Sequence, residues 1–466
     1  MLLRFQFAGI ILAALILFVP SAKAQDSSAE PKAPSNLPAP EEQTATPDSR
    51  PLSGAQDLTV GYPSSSHSFL SPSFGVTTAV QTNPYGATQS NANDFFSTTY
   101  LSGRLAVNKL SGRSELLADY LVGGGFSNET NQESSLIQSL DFSETIHWGR
   151  WSQLFGDQFT YLPSSSFNFG GLGGLSNFGV NPGAGTASNP GFRRDLLPDQ
   201  SILTSGGPRV SNAVIAQTGY LLSPRLSLTF LGSYGVLDFT DNGFQNSSSV
   251  SARGGLNYLL DPLNSVSISY GFSKLMFSDL PQGVSDHTVQ FSFARRITGR
   301  LSFQAGAGPD VQLYQAPIAG PSTVVSWAAS SALNYQVRHI DAGFNYNHGL
   351  TGGSGILLGA ETDVFSGKLY RALGPYWQAG LSIGYSRNRI LRETAFNGTS
   401  TTVQGWFASA QINRRFVRHG NLFISYNASR QSGLANICAL PACNTGFLTQ
   451  TISIGYNWAL RPVELE

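Results

Sequence analysis

Short turns built from Ser, Asp, Gly and Pro recur along this chain about forty residues apart, each between two runs of alternating apolar and polar residues. Gly219-Tyr220-Leu221-Leu222-Ser223-Pro224 leads into Leu226-Ser227-Leu228-Thr229-Phe230. Asn257-Tyr258-Leu259-Leu260-Asp261-Pro262 leads into Ser265-Val266-Ser267-Ile268-Ser269-Tyr270. Turns of the same kind lie near Leu110, Gly149, Gly299, Arg338, Gly374 and His419. Alternation with period two places successive side chains on opposite faces of a strand, so a repeated strand-turn-strand unit predicts a large antiparallel sheet.

Where such a sheet can live is limited by charge. Only 12% of the residues are charged, about half the share of a soluble domain. A water-soluble surface of this extent needs more. A membrane β-barrel does not, because its outer band meets lipid and its lumen is lined by small polar residues. The content of 50 Gly, 30 Phe and 17 Tyr against 2 Met fits that arrangement. The formal net charge is zero, and nothing in it points to nucleic acid.

Residues 1–24 read as a secretory signal peptide: Arg4, an apolar run from Phe5 to Val19, Pro20, then Ala22-Lys23-Ala24 as a cleavage site. An uncleaved anchor helix is the alternative. Cleavage removes Arg4 and Lys23 and leaves 26 basic against 28 acidic residues. Residues 25–69 hold Pro31, Pro34, Pro38, Pro40, Pro47, Pro51 and Pro63 among Ser, Ala, Glu and Gln, the composition of a disordered periplasmic segment. The barrel is expected over 70–460, with 461–466 as a periplasmic tail. Cys438 and Cys443 are expected to form a small loop-stapling disulfide, since the compartment is oxidising and no further metal ligands lie near them.

Strands are expected at about 70–82, 94–107, 112–126, 134–147, 150–161, 209–222, 225–239, 247–260 and 263–277. Nine more follow at about 285–298, 300–315, 322–337, 339–349, 355–372, 375–390, 400–416, 419–431 and 447–459. The fold class is therefore an all-β transmembrane antiparallel barrel of about 18 strands, with 16 as the alternative. Tight periplasmic turns alternate with long extracellular loops, and an even count leaves both termini in the periplasm. A soluble sandwich or propeller is the competing fold, but it rarely needs strands this long. Val266, Ile268, Tyr270 and Phe272 are assigned to lipid, as are Ile452, Ile454, Tyr456 and Trp458. Trp148, Trp151, Tyr220, Tyr258, Tyr335, Tyr376, Trp377 and Trp458 gather near the short turns, as an aromatic girdle does, with Arg295, Arg414 and Arg418 among them.

In this pattern residues 70–460 resemble Gram-negative outer-membrane β-barrels of the porin-like kind. The last strand ends Gly455-Tyr456-Asn457-Trp458, similar to the terminal aromatic-x-aromatic signal read by the barrel assembly machinery. It departs by carrying eight further residues and Ser453 where Gly is frequent. The resemblance implies outer-membrane lipid, that assembly machinery and small hydrophilic solutes as partners, and it admits a homo-oligomer. It also implies that the long third external loop, 162–208, folds inward to narrow a pore; a mobile surface loop is the alternative.

Alternation assigns to the lumen Arg104, Arg113, Glu115, Asp119 and Asp141 on the early strands. Arg253, Arg296, Asp310, Asp341, Glu361, Asp363 and Arg415 follow on the later ones. Mixed signs in a wet lumen suit weak selectivity rather than a tight site. Glu144 and Asp157 break the pattern by sharing faces with Phe142, Ile146 and Trp148, and with Phe155 and Phe159. A bulge, a subunit contact or a misplaced boundary would each relieve that. No cofactor, metal or enzymatic activity is expected, Asp286-His287 being a common dipeptide. The leading function is a channel for diffusion of small hydrophilic solutes; the alternatives are a non-conducting adhesin or scaffold, and a polysaccharide export channel. Lumen aromatics would favour sugars, with Phe96, Tyr100, Tyr314 and Phe423 as candidates.

Overall fold

The computed structural model describes residues 68–82, 95–127, 135–162, 209–240, 246–278, 283–315, 322–337, 339–351, 359–391, 402–417, 419–432 and 448–465. The signal peptide, the Pro-rich segment before Ser68, most of the 162–208 loop, Cys438 and Cys443 lie outside them.

The first strands are β1 (Phe69–Thr82), β2 (Phe95–Ser111), β3 (Ser114–Ser127), β4 (Ser135–Trp148), β5 (Trp151–Leu162) and β6 (Arg209–Ser223). Then come β7 (Leu226–Phe239), β8 (Ser247–Asp261), β9 (Asn264–Phe277), β10 (Gly283–Thr298), β11 (Leu301–Gln315) and β12 (Thr323–Val337). The last are β13 (Ile340–Thr351), β14 (Ala360–Ala372), β15 (Trp377–Ile390), β16 (Thr402–Val417), β17 (Gly420–Ser432), β18 (Leu448–Ala459) and the two-residue β19 (Val463–Glu464). Each long strand pairs antiparallel with its chain neighbours, and β1 pairs with β18 from Ser73↔Ala459 to Thr82↔Gln450. The sheet closes into an 18-strand barrel, and each expected strand coincides with an observed one.

The recurring turns have a common construction. Ser223 Oγ accepts the amide of Leu226 at 3.0 Å, and Thr298 Oγ1 accepts that of Leu301 at 3.0 Å. Asp261 accepts the amides of Leu263 and Asn264 at 2.7 and 2.9 Å and the Asn264 side chain at 2.7 Å. A short polar side chain at the first turn position thus satisfies amides that the ladder leaves over. The strand entering each of these turns carries a register shift, at Leu221/Ser223, Leu259/Asp261 and Arg296/Thr298. Gly149, with φ 59°, makes the left-handed step between Trp148 and Trp151.

The expected periplasmic tail is partly built into the wall. Val463 and Glu464 pair with Leu70 and Phe69, and Leu465 N donates to Ser68 O at 3.2 Å. The start of β1 is thereby held between β2 and the tail.

The outer face is apolar between two aromatic rows. Near the tight turns stand Trp148, Trp151, Tyr220, Tyr258, Tyr335, Trp377 and Trp458. Trp151 packs on Tyr220 at 4.4 Å between ring centroids. The Arg414 guanidinium lies 4.9 Å from the Trp377 ring centre and 4.8 Å from that of Phe416. Toward the long connections, the register sets Tyr346, Phe365, Tyr385 and Trp406 side by side on four successive strands. On β16 the stretch from Trp406 to Phe416 matches the about 9–11 residues that cross a bilayer on a tilted strand.

Glu144 and Asp157 do face outward. The β3–β4 and β4–β5 registers run without a shift, and both strands begin and end within one residue of the expected bounds. That removes the bulge and the misplaced boundary. Asp157 Oδ1 accepts a hydrogen bond from Asn212 Nδ2 at 2.7 Å.

Candidate channel lumen

The inner face follows from the register, because residues paired across strands point to the same side. One inner row reads Gln217, Leu231, Arg253, Gly271, Thr288, Asp310 and Ser326 from β6 to β12. The row beyond it holds Ile215, Ser233, Ser251, Ser273, Asp286 and Gln312. Ser265, Ser269, Ser425 and Ser453 repeat the small polar lining elsewhere and are buried against their neighbours.

Two charge clusters stand on this face. On β2–β4, Arg104 Nε donates to Asp119 Oδ1 and Oδ2 at 2.7 and 3.1 Å, and its Nη2 also donates to Oδ2. Asp141 is paired in register with Asp119, so one guanidinium serves two carboxylates. On β8–β11, the Thr288 hydroxyl stands 3.1 Å from Asp286 Oδ2 and 3.1 Å from Asp310 Oδ1. Gln312 Nε2 donates to Asp310 Oδ2 at 2.9 Å, and Tyr314 donates to Gln312 Oε1 at 2.9 Å. Arg253 acts electrostatically on Asp286. Its side chain lies over Gly271, where an added Cβ would stand 3.1 Å from Nε. Asp286 belongs to this cluster and escapes the sequence reading; its register pairing with Ser273 and Gln312 is the signal that places it.

The remaining assignments divide. Glu115, Arg296, Asp341 and Arg415 face inward near the tight-turn end, apart from both clusters. Arg113 is corrected: it sits exposed in the two-residue turn between β2 and β3, off the wall. Glu361 and Asp363 are also corrected. Their partners across the ladder are Leu350 and His348 on β13, and Arg389 and Arg387 on β15, all on the outer face with Phe365 and Tyr385. The physical reason is an inversion of polarity beyond the second aromatic row. Outside the lipid zone the outer wall meets polar surroundings, so charge moves outward. There Leu237, Phe239, Leu275, Phe277 and Val284 turn inward instead and are buried.

Glu361 and Asp363 build an ionic group at that rim. His348, 7% exposed, approaches Asp363 Oδ1 through Nδ1 at 2.8 Å and Glu361 Oε1 through Nε2 at 3.3 Å. Trp327 stacks on His348 at 4.0 Å. Arg389 Nη2 donates to the Glu361 carboxylate, and Ser326 Oγ, from the inner row of β12, reaches the same carboxylate where β12 and β13 part. The pairing of β12 with β13 ends at Ala329↔His348, and these side chains fill the place where the two strands part.

Asp286 and His287 lie on opposite sides of the wall. His287 Nδ1 is 2.7 Å from the Tyr270 hydroxyl on the outer face, so the dipeptide makes no acid–histidine pair. Tyr100 and Phe423 point inward but are 8% and 1% exposed, which leaves little ring face for a solute; the Phe96 side chain lies outside the described set.

No protein-family model matches the chain, and no curated protein matches it. Among solved structures it is similar to OccK1 (OpdK) of Pseudomonas aeruginosa, at 7% identity, covering 84% of this chain and 99% of that one, with a TM-score of 0.41. It is similar to OccAB4 of Acinetobacter baumannii at 9% identity, covering 85% and 99%, with a TM-score of 0.42. OpdQ of Pseudomonas aeruginosa shares 11% identity, covering 85% and 99%, with a TM-score of 0.43.

Proposed function

We propose that this chain is a Gram-negative outer-membrane channel through which small hydrophilic solutes diffuse. The observation that carries the reading is the inner face of a closed 18-strand barrel, lined by Ser, Thr, Gln and two clusters of mixed charge. Barrels of 16–18 strands leave an aqueous interior. Paired charges of both signs polarise such an interior without making a tight ionic site. The apolar exterior between two aromatic rows supplies the membrane contact.

Purified protein in a planar bilayer should give stepwise single-channel currents with weak ion selectivity. A barrel that inserts and carries no current would sink the channel reading and favour a surface-binding protein.

A further inference from the structure

The ladder between β12 and β13 stops at Ala329↔His348, although both strands run on toward the long connections. Residues 323–328 pair with β11 alone, and Gly349, Leu350 and Thr351 pair with β14 alone. No other seam among the described residues leaves so long a run unpaired. An open strand edge is not tolerated against hydrocarbon, only where protein or water meets its amides and carbonyls. Side chains reach through this gap: Ser326 of the inner row hydrogen-bonds Glu361 on the outer face. The wall is therefore perforated here, between lumen and exterior.

The two lips of the gap differ in chemistry. On β12, Val325 and Trp327 point outward and are 72% and 50% exposed. Opposite them stand His348, Glu361 and Arg389. Inside the barrel the same end is apolar. An added Cβ on Gly359, ahead of β14, would stand 3.2 Å from Leu275 Cδ2 of β9 and 2.9 Å from Leu391 Cδ1. Leu275 thus reaches the ends of β14 and β15 past four intervening strands, and the gap lies within the span that this contact closes off.

We infer that the β12–β13 gap is a lateral portal through which a single-chain amphiphile passes between the lumen and the external leaflet. The inference rests on the membrane-channel reading and adds a second route to it. An amphiphile matches both lips, its chain along Val325 and Trp327 and its polar head on the ionic side. Within the lumen, Leu275 and its apolar neighbours offer the chain a surface that a hydrophilic solute does not use.

The test uses the full chain in phospholipid vesicles containing an octadecyl phosphocholine with a diazirine in mid-chain, an amphiphile whose long chain keeps it in the bilayer. After illumination, labelled residues are mapped by mass spectrometry. Label should appear on the inner residues Ser330 and Asn347 beside the gap as well as on the outward Trp327, and more strongly than on Ser233 and Ser251 of the intact β7–β8 wall. In a chain with Cys438 and Cys443 replaced by serine, S326C/T351C sets thiols where the continued register would place them opposite each other. Bridging them with a short bis-maleimide should abolish the inner label and spare that on Trp327. S326A removes the hydrogen bond across the gap and should raise the inner label about tenfold, the worth of one hydrogen bond to a charged group. Inner label that is absent from a conducting wild type, or equal before and after bridging, would overturn the portal alone. A wild type that inserts and carries no current would remove the channel reading on which the portal rests.

Discussion

The ring of Phe423 occupies the space that a side chain at Gly455 would need on the inner face of the closing strands. Thr77 Oγ1 on β1 crowds the same point, so three strands at the seam pack around one missing Cβ. Gly455→Ala should therefore destabilise the barrel by about 1–3 kcal/mol, the usual cost of overpacking. The measurement is the temperature at which the folded, fast-migrating band converts to the unfolded one. An unchanged temperature would mean that Phe423 moves aside freely.

The β8–β9 turn predicts a pH dependence confined to acid conditions. Hydrogen bonds from the Asn264 side chain and the Leu263 amide, then that of Asn264, hold the exposed Asp261 carboxyl below its ordinary value of 3.8, with Arg295 adding to them. A depressed folded pKa contributes stability that is fully present above the unfolded value and is lost as pH falls through the folded one. The stability gap between wild type and Asp261→Ala should be constant at neutral pH and should close only below 3.8. A gap that closes nearer neutrality would mean that another group is responsible.

The strands were legible in the sequence because alternation and turn chemistry are local. Ser223, Asp261 and Thr298 each mark a turn by their own hydrogen bonds. The misassigned Glu361 and Asp363 show where locality stops. Their alternation is regular, but which face is polar depends on height relative to the lipid, and that is set by Tyr346, Phe365, Tyr385 and Trp406 on four different strands. Clusters across a wall are equally non-local. Asp310 meets Thr288 and Asp286 only through the β10–β11 register. The tail strand was missed because two paired residues carry no period.

Asp157 offers a test of what covers the outer face of β4–β6. Its carboxylate points outward in mid-strand, with Asn212 as its hydrogen-bond donor. If lipid covers it, Asp157→Asn removes an unfavourable charge and should raise stability in vesicles by about 1 kcal/mol, less than a basic residue would give at that depth. Loss of stability, together with loss of a larger assembly in crosslinking, would instead identify the face as a subunit contact.

The Arg104 cluster should set ion preference. Arg104 is the cation that Asp119 and Asp141 share on the β2–β4 wall. Arg104→Gln leaves two acidic groups facing the lumen without it, so the reversal potential across a salt gradient should move toward cation preference. Asp119→Asn should move it the opposite way. Both shifts should shrink as salt rises, because the screening length falls from about 10 Å at 0.1 M to about 3 Å at 1 M. Arg104→Gln should also lower heat resistance, since Asp119 is 8% exposed and loses its partner. A variant that is less stable yet keeps the wild-type reversal potential would show that the cluster braces the wall and that permeating ions do not pass within its field.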